Sequence, residues 1–137
     1  MVAQSDLNIP YYELPEASEN FTAGTVAARQ IDALGFRFYH ATDGLSAKDL
    51  DFKPSDSVRT TAETIKHIYD LSKIILNSTL KKENTKEAVK LSFEAQRVAT
   101  LNNLKQAADI LRSSDDISQF KIIFGESQIP FWNNING

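Results

Sequence analysis

Residues 60–80 read Thr-Thr-Ala-Glu-Thr-Ile-Lys-His-Ile-Tyr-Asp-Leu-Ser-Lys-Ile-Ile-Leu-Asn-Ser-Thr-Leu, and this stretch decides the fold class. Thr60 and Glu63 stand in capping-box spacing: the hydroxyl accepts from the N–H of Glu63 while the carboxylate reaches back to the N–H of Thr60. Behind that start, Ile65, Ile68, Leu71, Ser72 and Ile75 recur at helical spacing and build one buried side, with Ile74 at its margin. The segment therefore reads as an amphipathic helix running to about Leu80, where Lys81-Lys82-Glu83-Asn84 breaks it.

The same reading extends to both sides. Upstream, Ala27, Ile31, Leu34, Phe38 and Ala41 fall on one narrow stripe, which predicts a helix over 22–42. Asp43-Gly44 ends it, with glycine free to enter the left-handed region. Leu45 to Arg59 reads as a connector, because Pro54 and Ser55-Asp56-Ser57 oppose helix. Downstream, a third helix starts at Lys86 or Ser92 and runs to Ser113, with Val98, Leu101, Leu104, Ala108 and Leu111 on its apolar face. Ile117 to Gly137 reads as a long crossover with one extended piece around Phe120–Phe124, punctuated by Gly125 and Pro130 and carrying Trp132. Residues 1–21, with Pro10 and Pro15 and no sustained period, read as an extended arm. The expected fold is all-α, an up-and-down bundle over 22–137 with part of its helical faces uncovered.

Composition narrows the function classes. Hydrophobic residues make up 42% of the 137 and charged residues 24%, the balance of one ordinary globular domain. With 15 Lys+Arg against 18 Asp+Glu, the net charge of −3 argues against nucleic acid as a partner; Lys81, Lys82, Lys86 and Lys90 read as a solvated helix start. The chain has no cysteine, which removes disulfides, thiolate zinc sites and cysteine nucleophiles. No secretory start and no membrane-length apolar run are present, so the expectation is a cytoplasmic protein without membrane contact, and the sequons at Asn20 and Asn77 read as chance. Phosphate loops, nucleophile elbows and His-Glu-x-x-His pairs are missing from the sequence.

Two histidines remain. His40 lies opposite the first helix's apolar stripe, beside Phe36 and Arg29, and reads as a solvated side chain. His67 sits at the edge of the second helix's buried face, with Glu63 and Asp70 one turn away on either side. Those carboxylates would orient an imidazole or help balance a cation; a boundary histidine bonded to one of them is the plainer reading.

The order Leu50-Asp51-Phe52-Lys53-Pro54, Thr60-Thr61-Ala62-Glu63, Lys66-His67-Ile68 resembles the helix 1–helix 2 region of the DinB/YfiT-like superfamily. Phe93 to Leu111 is similar to that family's third helix, and Ile129 to Gly137 to the lead into its fourth. The resemblance covers Thr22 to Gly137. It implies a four-helix bundle, often a homodimer, holding a divalent metal of zinc or nickel type on three histidines. His67 takes the position of the ligand from the second helix; the fourth helix would bring the other two as a His-x-x-x-His pair. In this sequence the site is incomplete, because the fourth helix is not in it. The implied chemistry is that of metal-dependent transferases acting with a low-molecular-weight thiol, or of hydrolases. The other reading is a non-catalytic module that associates with itself or a partner through its uncovered apolar surface.

Overall fold

The computed structural model describes residues 8–86 and 89–135, and within them the molecule is mostly helical. In chain order the elements are α1 (Ala23–Thr42), α2 (Ala47–Asp51), α3 (Thr61–Thr79), α4 (Phe93–Arg112), β1 (Lys121–Phe124), β2 (Ser127–Pro130) and α5 (Trp132–Ile135). The arm's first seven residues and Asn136–Gly137, the end of the segment that resembles the lead into a fourth helix, lie outside the described residues.

The three long helices begin where their sequences supply a cap. Thr60 Oγ1 accepts from the N–H of Glu63 at 3.1 Å and Glu63 Oε2 from the N–H of Thr60 at 2.7 Å, the reciprocal box the spacing predicts. Thr22 and Thr25 form a similar pair at the head of α1, and Ser92 accepts from the N–H of Ala95 at the head of α4. Gly44 closes α1 at φ 69°, the left-handed region in which a side chain would be strained. The connector holds one helical turn, α2, which the sequence reading passed over. Ser46 and Asp49 cap it within a segment that is otherwise non-helical around Pro54.

Packing is organised around α4. Leu101, Leu104, Ala107, Ala108 and Leu111 are fully buried, and both α1 and α3 lie against this helix. Small residues let α1 approach closely. A Cβ at Gly24 would fall 1.7 Å from the carbonyl oxygen of Ser114, so the N-terminus of α1 touches the C-terminal end of α4. At the opposite end the buried Arg97 reaches across from α4. Its Nε donates to Thr42 Oγ1 (2.9 Å) and its Nη2 to the carbonyl of Tyr39 (3.0 Å), satisfying acceptors in the last turn of α1. The two helices are thus antiparallel.

The crossover is more ordered than the sequence reading had it. Beyond the expected extended piece, β1 and β2 form an antiparallel hairpin pairing Lys121 with Pro130 and Phe124 with Ser127. Gly125 is the first of its two turn residues, at φ 57°. The hairpin is tied to the chain after α3: Asn84 donates from backbone and side chain to the carbonyl of Ile123, and the N–H of Gly125 donates to Glu83. Phe120 and Phe131, both buried, meet edge to face with centroids 6.0 Å apart. That pair anchors the strand ends and sets α5 against α1 and α3.

The arm is docked over its described part. Ile9 and Tyr11 are buried, and the Tyr11 ring lies so close to Gly35 that a Cβ there would come within 2.4 Å of it. Tyr11 Oη donates to Asp32 Oδ1 (2.9 Å), a carboxylate with no exposed surface, whose other oxygen accepts from Arg112 Nη1 (3.0 Å). Burial and the neighbouring carboxylate push the Tyr11 hydroxyl far above the usual phenol range, so it stays a donor. Arg29 donates to the carbonyl of Pro15 farther along.

Candidate functional site

His67 is exposed on α3, outside the buried face. The flanking carboxylates have other partners. Glu63 closes the capping box, and the N–H of Thr60 holds its carboxyl below the usual carboxylate range. Asp70 lies between two ammonium groups, Lys66 Nζ at 2.6 Å and Lys73 Nζ at 3.6 Å. The structure therefore assigns both acids to the helix surface, and neither orients the imidazole. Among the described residues no group of three histidine, cysteine, aspartate or glutamate side chains comes together to hold a metal. His67 alone does not make a metal site.

His40 is exposed, as its place opposite the stripe predicts, yet it is held. Its Nε2 lies 2.9 Å from the carbonyl oxygen of Tyr12, and its ring contacts those of Phe36, Tyr39 and Tyr12 with centroids 4.7, 5.0 and 5.9 Å away. The cluster secures the arm to α1. The sequence offered no signal for it, because it depends on where residues 8–15 return.

The feature with room for a partner lies between α1 and α3. Both helices rest on α4, and on the side away from it they leave a groove. At one end is a hollow of about 300 Å³ floored by Ile31, Leu71, Ile75 and Leu104, and α5 enters it through Asn134 and Ile135. Asn134 Nδ2 donates to the carbonyl of Leu71 at 3.4 Å. At the other end is a hollow of about 410 Å³ walled by Leu34, Phe38, Leu45, Phe52, Ile65 and Ile68, with Arg37 and Arg59 as its charged members. The two hollows share Leu34 and Ile68, so they adjoin along one groove. From Thr61 to Ile75 the α3 wall rises by roughly 20 Å, the length of about four helical turns.

The groove explains the departures from the expected burial, among them Ala41 at the end of the α1 stripe, which is exposed and lines it. Leu34 belongs to the α1 stripe but is 39% exposed, and Ile68 and Leu71 of α3 are only partly covered. Ala27, Ile31 and Phe38 on α1 and Ile65, Ser72 and Ile75 on α3 are buried as predicted. The apolar faces are wider than three helices can cover. The sequence places Leu34 on the same narrow stripe as Ile31 and Phe38 and does not show which side stays open.

His67 stands on the rim of this groove, one turn from both Thr64 and Leu71, which belong to its lining. No helix among the described residues is long and apolar enough to cross a membrane. No family model, curated protein or solved structure matches the chain.

Proposed function

We propose that this chain folds as a DinB/YfiT-like helical bundle, and that its α1/α3 groove seats one further amphipathic helix. The observation that carries this is the groove itself, apolar and of helix length between two helices that share a third, with α5 already resting in one end. Leu34, Ile68 and Leu71 on its walls are the partly covered apolar residues a fourth helix would bury. Fully burying an exposed aliphatic side chain gains about 1.5–3 kcal/mol; these partly covered ones gain the fraction still exposed, up to about 1 kcal/mol each, which favours an occupant.

The test is binding of a dye-labelled amphipathic peptide with leucine at every third or fourth position, read by fluorescence anisotropy. Saturable binding that is lost in Leu34→Glu, with unchanged helical circular dichroism, is the expected result. No binding, or binding that ignores Leu34→Glu, refutes the seat.

A second reading concerns metal and rests on the place of His67 at the groove rim. A helix seated beside it and carrying His-x-x-x-His would bring two imidazoles to the same side, enough with His67 for a three-ligand divalent site. The implied enzyme classes, thiol transferase or hydrolase, depend on that completed site. Cobalt(II) absorption checks it. A tetrahedral spectrum that needs both the His-bearing peptide and His67 supports metal binding, and an unchanged spectrum in His67→Ala rejects it. The expected homodimer is a further proposal, checked by sedimentation; a monomer at all concentrations removes it.

A further inference from the structure

We infer that the helix seated in the α1/α3 groove is acidic at the end remote from α5, because two arginines make that end of an otherwise apolar groove cationic. The inference rests on the helix-seating reading above and deepens it by naming the partner's charge and direction. The groove is asymmetric. Around α5 its lining is Gln30, Ser72, Asn134 and aliphatic side chains, with no charge. At the far end the Arg37 and Arg59 guanidiniums flank Leu34, Phe38, Phe52 and Ile68, and no carboxylate lines that hollow among the described residues. Neither arginine makes an ion pair among the described residues, whereas Arg97 and Arg112 both do.

The sign runs against the chain as a whole, which carries −3. The nearby carboxylate of Glu63, which caps α3, interacts with Arg59 and offsets it in part, but it does not line the hollow itself. A guanidinium beside an apolar wall is well suited to a partner that buries aliphatic side chains and presents a carboxylate at its margin. A helix whose C-terminal end lies here adds its own backbone carbonyls, which carry partial negative charge. That direction places the helix N-terminus at the α5 end.

Two synthetic helices of about 18 residues, five turns, test this. They share one leucine stripe and differ in their C-terminal turns, which carry three Glu or three Lys. Titrated into the intact chain at low salt, the Glu helix is expected to bind about tenfold more tightly, from two exposed ion pairs gained against two repulsions. Arg37→Gln/Arg59→Gln is expected to remove the difference while leaving the melting temperature unchanged, since both residues are exposed. Raised salt shrinks the difference in the wild type. Equal binding of the two helices overturns the charge assignment and leaves the seat intact. A preference that survives the double substitution also overturns it. Failure of both helices to bind brings down the seat itself, and the inference with it.

Discussion

Replacing Arg112 with methionine would strip the buried Asp32 of the cation that faces it. Asp32 has no exposed surface; its Oδ2 lies 3.0 Å from Arg112 Nη1 and its Oδ1 2.9 Å from Tyr11 Oη. After the substitution the Tyr11 hydrogen bond remains, but a carboxylate is left buried without a counter-charge. Breaking a buried pair this way costs about 3–5 kcal/mol. Because the Arg112 side chain keeps 28% of its surface exposed, water reaches that side of the pair, so the lower end, about 3 kcal/mol, applies. With a urea slope of about 1.5 kcal/mol/M, the denaturation midpoint falls by about 2 M at constant slope. The assay is urea unfolding followed by circular dichroism at neutral pH. Asp32→Leu placed on top of Arg112→Met is expected to recover part of the loss, since the unpaired charge goes with it. A midpoint shift under about 0.5 M for Arg112→Met, or a double variant less stable than the single one, would show that Asp32 is not the buried anion argued here.

The hydroxyl of Tyr11 is raised well above its ordinary 10.0 by burial, so the folded chain holds this proton at a pH where the unfolded chain releases it. Stability is therefore full below pH 10.0 and falls as pH rises through and beyond it, and Tyr11→Phe flattens that alkaline limb in denaturation midpoints measured across pH. Glu63 has the opposite sign: its carboxyl is depressed from 4.5, so its contribution is present above that pH and fades as acid protonates it, and Glu63→Gln is expected to weaken the acid dependence. Ser92→Ala removes the acceptor for the N–H of Ala95 and costs about 1 kcal/mol, read by thermal unfolding. Gly35→Ala drives a methyl to within 2.4 Å of the Tyr11 ring; a loss of about 1–3 kcal/mol with faster protease cleavage of the arm is expected, and an unchanged cleavage rate would contradict the docking.

What the sequence determines by itself is local. Thr60 with Glu63, Ser92, and the Asp43-Gly44 stop mark helix ends because capping and left-handed turns act over three or four residues. The stripes through Ile31, Phe38, Ile65, Ile75, Leu101 and Leu104 mark buried faces because helical spacing alone brings those residues together. The hairpin was within reach of the same logic, since Gly125-Glu126 between two short runs is a two-residue turn signal. Other features belong to the tertiary structure. Asp32 and Arg97 are charged residues whose burial no local pattern marks; it follows from the meeting of α1 and α4, which brings Asp32 to Arg112, and Arg97 to Thr42 and the Tyr39 carbonyl, across 55 to 80 positions. His67 reads as a boundary residue flanked by two acids, and the fold spends Glu63 on a cap and Asp70 on two lysines. Helical spacing says how wide an apolar face is, whereas only the packing of α1 and α3 on α4 decides which part stays open. Leu34 and Ile68 therefore line a groove instead of completing a core.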